Sequence, residues 1–305
     1  MRLPDSIDVT GRKRIPNTWA VVERIRRTLK LSDAEIADML LITPDDLKNL
    51  KERGKDISAN RIFSLAERLN LGFDTIMSGQ IDYQALHQHF SGNKTYLPER
   101  YQKAALSRRR TTLFILNYIE KNYGWRERLS ILHHFQLNEA IFANPDEPIS
   151  FQFASDLCEF LYRYKLGEAG LAQIGVESFL SANTVQVKQE LADCSSVGEI
   201  YERMCSTLIH KYFERNFIYR VVKMDHERCT VSATPNSQLI EMLGSKSIVG
   251  NPATAIVRRG IAAAYPAILG LPTASVHQSA CVYQGDREIR YEIDFSRAKR
   301  ALSWN

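Results

Sequence analysis

The chain has 305 residues, 44% of them hydrophobic, which is enough for two domains each with its own core. Its net charge of +5 is compatible with a nucleic-acid partner without demanding one. No apolar run reaches membrane-spanning length, and Asp5 and Asp8 interrupt what would have to be a signal peptide, so a cytoplasmic protein with no membrane partner is expected.

From residue 17 to 78 the pattern is of five short helices. Val21, Val22, Ile25 and Leu29 recur at helical spacing and leave Arg24, Arg26, Arg27 and Lys30 on an outer basic face. Ser32 followed by Glu35 is a capping box, which starts a second helix carrying Ile36, Ala37 and Leu40 inward. Thr43 can N-cap a third helix with Pro44 at its first position, Leu47 and Leu50 as its buried edge and Gly54 as its stop. Ile62, Leu65, Ala66 and Leu69 make a fourth helix starting near Ser58, and Phe73, Ile76 and Met77 a fifth.

The stretch Leu31-Ser32-Asp33-Ala34-Glu35-Ile36-Ala37, through Ile42-Thr43 and Arg53-Gly54 to Leu65-Ala66, resembles the phage-repressor-like (Xre) helix-turn-helix family over about a fifth of the chain. The resemblance implies double-stranded DNA as a partner, read by the third helix through Thr43, Asp45, Lys48 and Asn49. Asp45, Lys48, Asn49 and Glu52 project away from Leu47 and Leu50, so two of the four side chains on that face are acidic. Asp33 stands where the family commonly has Gln. Arg12, Lys13 and Arg14 form a basic N-terminal arm (residues 1–16), and Arg53 and Lys55 flank the third helix, all suited to phosphate contact.

Residues 81–110 hold Ser91-Gly92-Asn93, an isolated Pro98 and Arg108-Arg109-Arg110, a polar, weakly periodic stretch that reads as a linker ending in a basic helix start. From Thr111 to Leu132 the pattern fits one long helix or a pair broken at Gly124. A turn at Asn144–Ser150 precedes a helix through Phe153, Leu157, Phe160 and Leu161, and more helices are expected around 168–180 and 195–214. The period then changes. Phe217–Lys223 and Arg228–Ala233 read as a hairpin around Asp225-His226-Glu227, an Ala/Ile/Val-rich helix spans 252–269, and Ser275–Tyr283 and Glu288–Phe295 are strands joined at Gln284–Arg287. Helices on one side of a small antiparallel sheet make an α+β domain.

Gly270-Leu271-Pro272-Thr273-Ala274-Ser275-Val276, Cys281-Val282-Tyr283-Gln284-Gly285-Asp286 and Tyr291-Glu292-Ile293-Asp294-Phe295 resemble the closing helix-to-hairpin of the 4-vinyl-reductase and haem-NO-binding-like sensor superfamily. Residues 144–212, with Asn-Pro-Asp-x-x-Ile-Ser and Ser-Val-Gly-Glu-Ile-Tyr, look like the ligand-binding part of some AraC-type regulators. These likenesses imply a small-molecule pocket between sheet and helices, and Phe179, Tyr201, Met204, Tyr212, Phe217, Tyr219, Ile261 and Tyr265, with Phe213, are the candidates for its lining. Arg203, Arg220 and His210 are candidates for a ligand's polar head. Some members of the superfamily carry a second cysteine near the position of Ile289 and bind zinc there; this chain has none, and no metal is expected.

No cofactor is expected either. His133 and His134 are adjacent on a helix and face different directions, and the Tyr-x-Ser-x-Arg signature of haem-NO sensors is absent. The five cysteines (Cys158, Cys194, Cys205, Cys229, Cys281) are scattered without a CxxC pair, which gives neither a zinc knuckle nor a disulfide framework. No nucleophile elbow, phosphate loop or HExxH occurs, so an enzyme is not expected.

The sequence thus predicts a mainly α N-terminal five-helix helix-turn-helix domain (17–80), a linker (81–110), and an α+β sensor and dimerisation domain with a small antiparallel sheet (111–305). The expected function is a dimeric one-component regulator responding to a small hydrophobic or aromatic molecule. The alternative is a protein-interaction adaptor with a degenerate helix-turn-helix.

Overall fold

The computed structural model describes residues 17–181, 185–243 and 250–298. In chain order they form α1 (Thr18–Leu29), α2 (Asp33–Met39), α3 (Pro44–Glu52), α4 (Ala59–Leu69), α5 (Phe73–Ser78), α6 (Tyr83–Phe90), α7 (Glu99–Gln102), β1 (Ser107–Arg108), α8 (Arg109–Tyr123), α9 (Trp125–His134), β2 (Pro148–Ile149), α10 (Phe151–Leu161), α11 (Gly167–Ser181), α12 (Val185–Leu191), α13 (Val197–Arg203), α14 (Ile209–Tyr212), β3 (Phe217–Met224), β4 (Arg228–Pro235), α15 (Ser237–Leu243), α16 (Pro252–Ala264), β5 (Ser275–Ala280) and β6 (Ile289–Asp294). The chain divides into two compact units, one made of Met1–Glu99 with Arg126–Ala143, the other of Arg100–Trp125 with Asn144–Asn305.

In the first unit the helix ends follow the local chemistry. Asn17 caps α1 by accepting from the Trp19 N–H at 2.9 Å. Ser32 and Glu35 form the reciprocal capping box of α2, and the Thr43 hydroxyl accepts from the Asp46 N–H at 3.1 Å at the start of α3. The apolar stripes converge on one core, in which Ile25, Ile36, Leu40, Ile62, Leu65 and Ile76 are fully buried.

Of the stretch expected to be a linker, residues 81–99 belong to this unit and residues 100–110 to the other. Asp82 N-caps α6, accepting from the Gln84 and Ala85 N–H groups, and Leu86 joins the core of α1–α5. Ser91-Gly92-Asn93 is the tight turn that ends α6, with the Asn93 N–H donating to the Gln88 carbonyl at 2.9 Å. A polar surface on a short helix masks its single buried edge, which is why periodicity did not reveal it. The end of α9 also packs here. The Gly72 N–H donates to the His133 carbonyl at 3.0 Å, and Gln136 bridges the Asp82 N–H (2.7 Å) and the Gln80 carbonyl (3.0 Å). The expected long segment 111–132 is therefore a helix pair, broken at Gly124 with φ +91°, a conformation open to glycine.

In the second unit β1 pairs with β2, and β3-β4-β6-β5 form an antiparallel sheet in that order. Alternate residues of its two central strands, Cys229, Val231 and Ala233 of β4 and Ile289, Tyr291 and Ile293 of β6, are buried on the face that helices cover. Ile289 is packed in that core with no exposure. The second expected strand pair is shorter than its sequence pattern: β5 ends at Ala280, and a 3-10 turn at Val282–Gln284 with Gly285 at φ +102° carries the chain to β6. Asp286 closes this loop by accepting from the Cys281 N–H at 2.6 Å.

Arg108-Arg109-Arg110, expected as an exposed basic helix start, is instead drawn against the turn before β2. Arg109 pairs with Glu147 at 2.5 Å with its side chain 8% exposed, and Arg108 and Arg110 both pair with Asp146. The acids that neutralise the run lie nearly forty positions away, beyond the reach of local pattern. Two helices cross closely where Gly175 of α11 meets Gly260 of α16. Asn251 and Thr254 cap α16 reciprocally, with Pro252 at its first position. No described helix is long and apolar enough to cross a membrane.

Candidate functional site

The second unit holds a cavity of about 100 Å³ between the sheet and α8, α10, α11 and α16. The crossing of α11 on α16 and the two central strands set its walls. A π-helical turn at Met204–Leu208, following α13, turns Met204 and Cys205 into the lining. Irregular turns of this type release one residue from the helical repeat and let neighbouring side chains face the same way.

Of the residues expected to line a pocket, Phe179, Tyr201, Met204, Tyr219, Ile261 and Tyr265 do so, as does Phe213. Three others do not. Arg203 pairs with Asp193 and donates to the Glu190 carbonyl; the Tyr212 hydroxyl donates to Glu190 Oε1 at 2.7 Å; and Phe217, fully buried, packs beneath another side chain rather than along the cavity. Arg203 and Tyr212 are instead drawn to the acids Asp193 and Glu190 at the end of α12, partners that helical spacing alone does not reveal. Arg220 is exposed, and His210 Nε2 lies 2.8 Å from the Phe217 carbonyl.

The sequence reading missed the polar centre of the cavity wall. Arg258 Nη2 donates to Glu214 Oε1 at 3.1 Å, with the side chains 9% and 6% exposed. The Tyr219 hydroxyl donates to the same oxygen at 2.5 Å, and Asn216 Nδ2 donates to Glu214 Oε2 at 2.9 Å and to Ser107 Oγ at 2.7 Å. Arg258 Nη1 donates to the Tyr283 hydroxyl at 3.2 Å, and its guanidinium carbon lies 4.0 Å from the Phe217 ring centre and 4.6 Å from that of Phe151. Burial opposes the Arg258 charge, but Tyr219 and Glu214 outweigh it and raise its pKa. A signal for Arg258 was present: Thr254, Arg258, Ile261, Ala262 and Tyr265 share one face of a helix that is otherwise apolar. Glu214 had no such signal, since its place follows from a bridge to Ser107 far away in the chain.

Other polar groups in the lining are engaged with the backbone. Tyr201 donates to the Ala262 carbonyl at 2.9 Å, Thr111 to that of Phe213 at 3.1 Å, and Thr254 to that of Asn251 at 2.7 Å. Burial pushes the thiols of Cys158 and Cys205 up to about 12 and the phenols of Tyr201, Tyr219 and Tyr265 well above their ordinary value, so all stay neutral. These residues do not fit haem. The lining holds no histidine, and a cavity of about 100 Å³ is too small for a macrocycle. His134 lies in the other unit, with Nδ1 2.5 Å from Asp74 Oδ2. Among the described residues no group of three or more His, Cys, Asp or Glu is placed to hold a metal ion.

In the first unit, Thr43, Asp45, Lys48, Asn49, Arg53 and Lys55 are all exposed on or beside α3. Lys48 Nζ lies 4.0 Å from Glu52 Oε1. Asp33 is taken up by Lys51 at 3.3 Å and Arg26 at 3.6 Å. Arg12, Lys13 and Arg14 lie outside the described residues.

No family model matches the chain, and no curated protein matches it. Among solved structures it is similar to an Fe(II) unliganded H-NOX protein from K. algicida, at 12% identity over 61% of this chain and 95% of that one, with a TM-score of 0.45. A point mutant of the same H-NOX protein gives the same values. The phenol-responsive sensory domain of the transcription activator PoxR, with phenol, is similar at 13% identity over 52% of this chain and 84% of that one, with a TM-score of 0.34. These likenesses are distant, and the functional reading rests on the site's own residues.

Proposed function

We propose that the chain is a one-component transcriptional regulator in which the second unit binds a small hydrophobic or aromatic signal molecule and the first binds double-stranded DNA through α3. The observation that carries the reading is the apolar, aromatic-lined cavity. Close-packed interiors rarely leave such space; at about 100 Å³ it is somewhat smaller than an apolar cavity of about 150 Å³ that holds benzene, so a ring-sized ligand enters with small side-chain shifts. The exposed polar face of α3, capped by Thr43 and flanked by Arg53 and Lys55, supports the DNA-binding half.

Ligand acts by binding one arrangement of the protein more tightly than another, which shifts the population that engages DNA. The regulator works as a homodimer, because a single small reading head gives weak specificity and modules of this kind bind paired half-sites. No catalytic step is assigned to either unit.

Two measurements test the reading. Mass spectrometry of a denaturant extract of the purified protein, with an absorption scan, should release a small organic molecule and show no Soret band. Binding to duplex DNA should fall steeply with salt as counterions are displaced from phosphates. Binding that ignores salt, or none at all, would favour the protein-interaction adaptor, for which the exposed acids Asp45 and Glu52 on α3 offer a contact face.

A further inference from the structure

The polar groups of the cavity wall are unevenly committed. Both Glu214 oxygens accept hydrogen bonds, from Arg258 and Tyr219 on one and from Asn216 on the other. Arg258 is neutralised by that carboxylate and covered by the rings of Phe151 and Phe217. Tyr201, Thr111 and Thr254 donate to backbone carbonyls, and Tyr291 reaches the Ala255 carbonyl at 3.4 Å.

Tyr265 differs. It lines the cavity and is only 6% exposed, yet its hydroxyl makes no hydrogen bond among the described residues. Its ring is held from two sides, 5.1 Å from the centre of Phe179 and 5.3 Å from that of Tyr201, where α16 tightens into the 3-10 turn Tyr265–Leu269. The hydroxyl is thus uncommitted to the protein at the cavity surface, and a ligand group that hydrogen-bonds to it replaces whatever solvent contact it has there.

We propose that the cavity selects an uncharged molecule about the size of one six-membered ring with a single hydrogen-bonding substituent, and that the Tyr265 hydroxyl binds that substituent. This rests on the sensor reading above and specifies its ligand. A carboxylate ligand is rejected because the cation in the described lining, Arg258, is already paired, so the ligand's charge would be buried without compensation. An ammonium ligand meets the same difficulty, because the charge of Glu214 is already balanced by Arg258 and its oxygens already accept from Tyr219 and Asn216.

The test uses the full chain and isothermal titration with toluene, phenol and benzoate. Toluene and phenol are nearly isosteric and differ by methyl against hydroxyl. The wild type should bind both, and benzoate should not bind. Tyr265→Phe should weaken phenol by about tenfold or more while toluene stays within about twofold, which also verifies that the variant is folded with its cavity intact. If phenol affinity survives Tyr265→Phe, or benzoate binds as tightly as phenol, the inference fails and the sensor reading stands. If neither toluene nor phenol binds the wild type, the sensor reading fails and takes the inference with it.

Discussion

Arg258 and Glu214 meet at 3.1 Å with both side chains more than nine-tenths buried, which joins α16 to the segment just before β3 across the wall of the cavity. Two charges so far from water are retained only while each has the other. Arg258→Met or Glu214→Leu alone should cost about 3–5 kcal/mol, since each strands the remaining charge. The double variant should cost far less than the sum, because both replacements pack as apolar groups. Urea unfolding of the four proteins in the cycle reads the coupling; additive losses would show that the pair acts independently.

The crossing of α11 on α16 depends on two residues without side chains. A Cβ on Gly175 would stand 2.8 Å from Gly260 Cα, and one on Gly260 would stand 3.0 Å from Gly175 Cα and closer still to the Ala172 carbonyl. Backbone atoms cannot rotate aside as side chains do, so the helices must separate. Gly260→Ala should destabilise the protein by about 1–3 kcal/mol and loosen the cavity wall, seen as a lower Tm and weaker toluene binding. An unchanged Tm would mean that the helices part at no cost.

Glu23 gives the first unit a contribution to stability that depends on pH. A hydrogen bond from Arg26, aided by Arg27 and Lys51 against the opposing effect of burial, holds its carboxyl pKa at about 2. A carboxylate depressed in the folded state contributes stability that is fully present above its unfolded pKa of about 4.3 and is lost as pH falls toward its folded value. Glu23→Gln should therefore lower Tm at pH 7, and its deficit should shrink between about pH 4.5 and pH 2. A constant deficit over that range would locate the effect in packing rather than in charge.

On α3 the predicted roles separate by readout. Lys48→Ala and Asn49→Ala should relax sequence preference, whereas Arg12→Ala should weaken binding to all duplexes about equally and reduce the salt slope by about one. Band-shift titrations against a selected site and random DNA distinguish these. Equal loss on both DNAs for all three variants would remove the base-reading role from α3.

Helix ends were legible because the chemistry that makes them is local. Ser32 finds Glu35 three residues on and Thr43 finds the Asp46 N–H, both within one turn. The strand pairs were legible because β-branched residues alternate around short polar turns. The stretch 81–110 was misread for the converse reason. Its buried edge is short, and only the surfaces of other helices show that Leu86 is core and that Ser91-Gly92-Asn93 is a turn within a unit.

The sequence by itself determined the helix caps, the strand alternation and the aromatic supply of the second unit, because each depends on residues within a few positions of one another. Only the tertiary structure decided which aromatics line the cavity, that α9 folds with the first unit, that Arg109 and Arg110 face carboxylates rather than solvent, and that Arg258 meets Glu214. Those pairings join residues from 36 to 44 positions apart. Packing geometry selects among the many acids a given arginine could meet, and no local pattern encodes that choice.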